Sequence, residues 1–307
     1  MPYRPTIGIP FHPAYTNAAF FQSIGRLQEC QFNTLLLDCR YYDDEHLASL
    51  IKENMTIMDG LLLPGNPYDI DPKFYNEKII SHDLKIAPDD RLFNYQKAIF
   101  IAAEKLGMPI LGICAGSNVI NIVLGRKLEQ YLPVNGNVNH DIDPRKGQLA
   151  HEVMIKKGTH LHDILQGKNN EDSRDFPMKV NSWHHAVNSN LANCLISSAL
   201  ATDDVIEAVE EKYPGNLNCF GIQFHPEYLQ KEMTPTEFHQ QNRILHAFKT
   251  SSTQFHFSRQ VKQDIKRNKV NNLFFQKSSN QIKPTHQSLL KIKEMENDPI
   301  AKSMTLK

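Results

Sequence analysis

Tryptophan is nearly absent from this chain, cysteines are few and far apart, and long apolar runs are missing. One Trp and five Cys occur in 307 residues. The cysteines, Cys30, Cys39, Cys114, Cys194 and Cys219, are odd in number and without close pairing. That argues against a disulfide-framed secreted scaffold and for a reducing compartment. No apolar stretch approaches the ~18 residues of a membrane-spanning helix, so no membrane span is expected. The opening residues, MPYRPTIGIP, lack the basic-then-apolar build of a secretory signal, and a cytoplasmic location is expected. Net charge is also missing: 34 Lys and Arg balance 34 Asp and Glu. That balance hides an asymmetry. Residues 251–307 hold 11 basic against 4 acidic side chains, a surplus of +7 that the rest of the chain offsets. The basic residues there are dispersed, so a solvated polar extension is expected and nucleic-acid binding is not.

What the chain does contain is enough apolar residue, 40%, for one sizeable core. Short apolar runs alternate with helical patterns through its first half. Strands are expected at 6–10, 34–38, 60–64 and 108–113, and helices at 18–30, 43–53 and 89–105. This order predicts an α/β fold with a doubly wound, mostly parallel sheet. Beyond residue 150 closely spaced strands at 151–157, 179–187, 194–200, 204–210 and 219–225 predict additional antiparallel pairing. The hydrolase-like domain is expected to span 1–250. Residues 251–307, rich in Lys, Asn, Gln and Ser, read as a basic C-terminal extension, partly disordered or in short helices.

The chemistry concentrates at Gly112-Ile113-Cys114-Ala115-Gly116. An apolar run ends there and a helical pattern follows, which places Cys114 at a sharp strand-to-helix turn. Glycines two before and two after remove side chains where backbones crowd, as in the Gly-x-Ser-x-Gly nucleophile elbow. A thiol at a helix N-terminus meets the positive end of the helix dipole, which favours the nucleophilic thiolate. Far downstream, CFGIQFHPEY delivers His225 and, two residues on, Glu227. An imidazole can take the thiol proton and return it to a leaving group, and a carboxylate can fix its tautomer. Either motif alone is common; the pair in one chain points to a thiol nucleophile with its base.

Together the two motifs resemble the class I glutamine amidotransferase superfamily, in which Gly-x-Cys-x-Gly and His-Pro-Glu supply a Cys-His-Glu triad. Three further segments resemble the gamma-glutamyl-gamma-aminobutyrate hydrolases, a cysteine peptidase subgroup: DGLLLPGNPYDIDPKFY (59–75), NIVLGRKLEQY (121–131) and VNSWHHAV (180–187). The resemblance covers about residues 5–248 and implies a flavodoxin-like sheet. It implies a triad of Cys114, His225 and Glu227, and an oxyanion hole from the backbone N–H groups of Asn66 and Ala115. It also implies substrate contacts from Gly65, Asn118, Ser182, His184 and His185. The expected reaction is hydrolysis of a gamma-glutamyl amide bond through a thioester, on a small gamma-glutamyl compound or a glutamylated peptide, with no cofactor. Other readings stay open: a glutaminase subunit feeding ammonia to a partner synthase, or an inactive binding or regulatory relative. A homodimer stays open too.

Several positions depart from the subgroup. Ala115 replaces the usual Arg, Asn118 stands where Gln is common, and Ala186 follows His184-His185 in place of Gln. By analogy these three face the substrate, and loss of the guanidinium removes a fork for carboxylate binding. The reaction is expected to be kept and recognition altered. His184 and His185, read as strand neighbours, should point to opposite faces, so at most one should face the site. The spacing of His160 and His162, with His140 as a further candidate, permits chelation. No cysteine or carboxylate set completes a recognisable site, so no metal ligand is expected.

Overall fold

A computed structural model describes residues 2–16, 18–41, 46–80, 82–132, 138–143, 148–166, 174–213, 218–228 and 233–278. The backbone divides into two compact units, Met1–His256 and Phe257–Lys307.

Among the described residues of the first unit, nine strands form one sheet. Five of them run parallel: β1 (Thr6–Phe11), β2 (Asn33–Asp38), β3 (Gly60–Leu63), β4 (Ile110–Ile113) and β11 (Cys219–Ile222). The other four extend the sheet antiparallel: β6 (His151–Ile155), β7 (Phe176–Val180), β9 (Leu195–Ala201) and β10 (Ile206–Glu211). Spatial order is β2-β1-β3-β4-β11-β10-β9-β6-β7. A second, two-stranded sheet pairs β5 (Lys127–Glu129) with β8 (Val187–Asn190). The central strands β3, GLLL, and β4, ILGI, are buried at every residue. That is why they read as continuous apolar runs and not as alternating ones.

Helices cover both faces. On one lie α2 (Leu47–Ile57), α3 (Arg91–Leu106) and α4 (Ala115–Val123), whose Ile51, Ile99, Phe100, Val119 and Ile120 join a single apolar cluster. On the other lie α1 (Ala18–Glu29), α5 (His160–Gln166) and the start of α6 (Pro235–Ser278), which bury Phe20, Leu27, Leu161, Leu165, Leu245 and Phe248. This is the doubly wound arrangement with antiparallel additions that the sequence predicts. The carboxyl ends of β3, β4 and β11 lie side by side, the place where open α/β sheets bind ligands.

Two local expectations differ. The stretch 179–187 is not one strand: it leaves β7 at Val180, passes through an irregular segment, and enters β8 at Val187. Helix α6 continues past residue 250 to Ser278, where short helices were expected. No proline interrupts it between Pro235 and Pro284. In the second unit this helix exposes Phe257, Val261 and Ile265. The remainder of the expected basic extension, 279–307, lies outside the described residues. No described helix is long and apolar enough to cross a membrane.

Candidate active site

Cys114 stands between β4 and α4 with φ 53° and ψ −113°. Few non-glycine residues adopt such angles, and they persist only where the surroundings enforce them. The enforcement is visible. The Cys114 N–H donates to the Ile222 carbonyl at 2.7 Å, and the Cys114 carbonyl accepts from Ser117 N at 2.9 Å as α4 begins. A Cβ on Gly116 would lie 1.9 Å from the Leu63 carbonyl oxygen, and one on Gly112 2.6 Å from the Gly116 oxygen. Only glycine lets the helix start this close to the sheet, so the Gly-x-Cys-x-Gly spacing has a steric cause. Cys114 itself is buried, 8% exposed.

His225 arrives after β11. Its ring Nδ1 lies 2.8 Å from Glu227 Oε1. The two residues lie in a turn, with Tyr228 N donating to the His225 carbonyl, and not in the extended strand the sequence suggests. Both side chains are almost fully buried. Burial alone would lower the His225 pKa, but the Glu227 carboxylate and Cys114 outweigh it and push it up to about 10. Gly65, after β3, closes the group: a Cβ there would sit 3.3 Å from His225 Cε1 and 3.6 Å from Cys114 Cβ. The structure thus brings Cys114, His225, Glu227 and Gly65 together.

Asn66 follows in the same loop. Its Oδ1 accepts from Tyr68 N at 2.9 Å, which fixes the Gly65-Asn66-Pro67 turn. The N–H of Ala115 lies in the first turn of α4, where backbone donors lack intrahelical acceptors.

Three expected substrate contacts do not reach an open face. Ser182 is fully buried and donates to the His140 carbonyl at 2.8 Å. Asn118 is buried and its Nδ2 donates to the Ala186 carbonyl at 3.3 Å, a carbonyl that Gln223 Nε2 also reaches. His184 points into a buried cluster with His140, His151 and Glu207. These side chains shape the 181–186 segment from behind. What that segment offers Cys114 is a carbonyl: the Trp183 oxygen lies 3.8 Å from Cys114 Sγ. His185 differs. Partly exposed, it pairs with Asp69 at 2.7 Å, and that hydrogen bond, against burial, raises its pKa. His160 and His162 take no part in the cluster that holds His140; His162 Nε2 lies 2.9 Å from the Arg174 carbonyl.

Sequence reasoning missed two supporting residues. Asn181, with no exposed surface, donates through Nδ2 to the His225 carbonyl and accepts from the His225 N–H, both at 2.8 Å. One amide thereby grips both backbone polar groups of the histidine. Its only signal was its place in VNSWHH. Ser23 on α1 donates to Glu227 Oε1 at 3.3 Å, and nothing in the helix pattern marks it.

Several known proteins are similar to this chain. A glutamine amidotransferase-like protein of Rickettsia prowazekii is 28% identical over 221 residues, 59% of this chain and 75% of its own length. A protein of Mycobacterium tuberculosis assigned as a glutamine amidotransferase is 32% identical over 171 residues, 55% of this chain and 51% of its own length. Among solved structures, a GMP synthase component from Thermoplasma acidophilum superposes with TM-score 0.52 at 14% identity. That match covers 85% of this chain and 100% of that one, and it supports the fold alone. The peptidase C26 family model matches residues 38–227, more than half of the chain and a span that holds Cys114, His225 and Glu227. The chain belongs to the peptidase C26 family, a family of cysteine-type hydrolases and amidotransferases acting on C–N bonds.

Proposed function

We propose that this protein hydrolyses a gamma-glutamyl amide bond with Cys114 as nucleophile, His225 as acid and base, and Glu227 as the residue that orients and charges the imidazole. The observation that carries the reading is the strained corner at Cys114 beside a buried, hydrogen-bonded His225–Glu227 pair. In the first half-reaction the Cys114 thiolate attacks the amide carbonyl carbon and a C–S bond forms. The oxyanion is received by the N–H groups of Asn66 and Ala115; losing one such donor costs about 10²–10³ in rate. His225 gives its proton to the leaving nitrogen, the C–N bond breaks, and a thioester remains. In the second half-reaction water attacks the thioester carbon as neutral His225 takes its proton, a C–O bond forms, the C–S bond breaks to return the Cys114 thiolate, and the acid product leaves. His185, partly exposed and paired with Asp69, offers a cation and a carboxylate to the charged end of a glutamyl group.

Trapping tests the reading. The wild type and Cys114→Ser are incubated with gamma-glutamyl amines, glutamine and glutamyl peptides, and the intact protein is weighed. A glutamyl adduct on Cys114 with amine release, absent from the variant, is the expected result and names the substrate class. No adduct and no release across the panel, from folded protein, would move the reading to a non-catalytic binding role.

A further inference from the structure

Behind the segment that faces Cys114 lies a group the proposed reaction does not use. His140, His151, His184 and Glu207 come from four separate stretches of chain, yet one donor atom from each lies within 4.8 Å of all the others. Glu207 Oε1 is 3.1 Å from His140 Nδ1, 3.3 Å from His184 Nε2 and 3.4 Å from His151 Nε2. In a tetrahedral zinc site with bonds of about 2.0–2.1 Å, neighbouring donor atoms stand about 3.3 Å apart. The three carboxylate–imidazole edges have that length.

Hydrogen bonding does not account for the group. One carboxylate oxygen has room for about two good donors, and here three ring nitrogens crowd it. Only His140 is aligned with it; His151 Nε2, both nitrogens of His184 and Glu207 Oε2 are buried without a hydrogen-bond partner. Glu207 has no exposed surface and His184 is 5% exposed. Buried polar atoms left unpaired cost about 1–3 kcal/mol each, so a core that keeps four of them has another use for them. The surroundings also suit a cation. The far nitrogen of His140, Nε2, lies 3.1 Å from Asp203 Oδ2, the carboxylate–histidine relay that orients metal-ligating imidazoles.

From this we propose that His140, His151, His184 and Glu207 bind one divalent transition metal ion of the zinc class, with Asp203 as the outer partner of His140. Four protein donors and near-complete burial make the site closed and structural, not hydrolytic. Imidazole donors select zinc-like ions over magnesium or calcium. The ion ties together two backbone segments already paired by His184 N to the His140 carbonyl at 2.8 Å and Ile142 N to the Ser182 carbonyl at 2.9 Å. Trp183, whose carbonyl meets Cys114 Sγ, sits between Ser182 and His184. The metal thus clamps the wall of the active site without entering the reaction.

The test uses full-length protein, both wild type and Cys114→Ala, because the thiol and His225 could themselves capture zinc. Each is stripped with a chelator, incubated with zinc or cobalt(II), desalted, and measured by elemental analysis and X-ray absorption. About one ion per chain in both proteins, in a shell of nitrogen and oxygen with imidazole scattering and no sulfur, is the expected result. Asp203→Asn should keep the fold and weaken affinity about 10–100-fold, and His151→Gln should lose the ion. If His151→Gln fails to fold, the ligand shell of the Cys114→Ala protein decides alone. No retained ion, an ion lost on Cys114→Ala, or sulfur in the shell would overturn the proposal. None of these readouts depends on turnover, so the metal site and the hydrolase reading fail separately.

Discussion

Replacing Glu227 with Gln isolates the charge that organises the site. The substitution keeps the shape of the side chain 2.8 Å from His225 Nδ1 and removes its negative charge. In the wild type the His225 pKa rises from 6.5 to about 10 because Glu227 and Cys114 outweigh burial. At 1.36 kcal/mol per pKa unit, the imidazolium is favoured by about 5 kcal/mol. A single opposite charge at this distance moves a pKa by about 1–3, so Glu227→Gln should lower the His225 value by about that amount. An NMR titration of ring-labelled histidine reads it directly. Turnover should fall more steeply, by about 10⁴, because a neutral amide also permits the wrong imidazole tautomer. The stability effect has a fixed sign. A pKa raised on folding contributes fully below the unfolded value of 6.5 and is lost as pH rises through about 10. The urea-midpoint advantage of wild type over Glu227→Gln should therefore shrink across that window. A His225 ring that is already neutral at pH 7 in the wild type, or one that titrates identically in both proteins, would refute the reasoning.

Gly116→Ala forces a Cβ to within 1.9 Å of the Leu63 carbonyl. Backbone must move, at or above the upper end of the ~1–3 kcal/mol typical of overpacking, and an unchanged urea midpoint would contradict the close approach of α4 to β3. Asn181→Ala strips the partner from both backbone groups of His225. At about 1–3 kcal/mol for each unpaired group it should cost about 2–6 kcal/mol of stability, and steady-state kinetics should show kcat falling with KM held; a rise in KM alone would mean that Asn181 does not position His225. Asp69→Asn removes the carboxylate that holds the His185 proton. Any pH dependence of KM assigned to His185 should move to lower pH with kcat unchanged, and a loss confined to kcat would exclude a binding role for the pair.

What was legible in the sequence depended on how local its physical cause was. The corner at Cys114 could be read because it is enforced by residues two positions away: only glycine fits at 112, where β4 meets α4, and at 116, where α4 meets β3. The buried parallel strands could be read because burial on both faces leaves runs such as GLLL and ILGI. The His225–Glu227 pair was legible as a pair, although the turn that joins them was not.

The 181–186 segment was illegible for the opposite reason. Val180 to Val187 looks like a strand by composition, and alternation then sends His184 and His185 to opposite faces. The structure does send them apart, but through an irregular backbone whose shape is set by distant partners: Asn118 and Gln223 on the Ala186 carbonyl, His140 on Ser182, Glu207 beside His184. Glu207 itself sits in IEAVEE on β10, a string that reads as an exposed acidic strand, yet it has no exposed surface. A carboxylate is buried there because three imidazoles from elsewhere in the chain surround it, and the nearest of them in sequence, His184, is more than twenty residues away. The local motifs therefore give Cys114, His225 and Glu227, whereas the wall that faces them is assembled from long-range polar contacts. Departures such as Asn118 and Ala186 act on that wall. The Asn118 amide donates to the Ala186 carbonyl, on the same segment whose Trp183 carbonyl lies 3.8 Å from Cys114 Sγ.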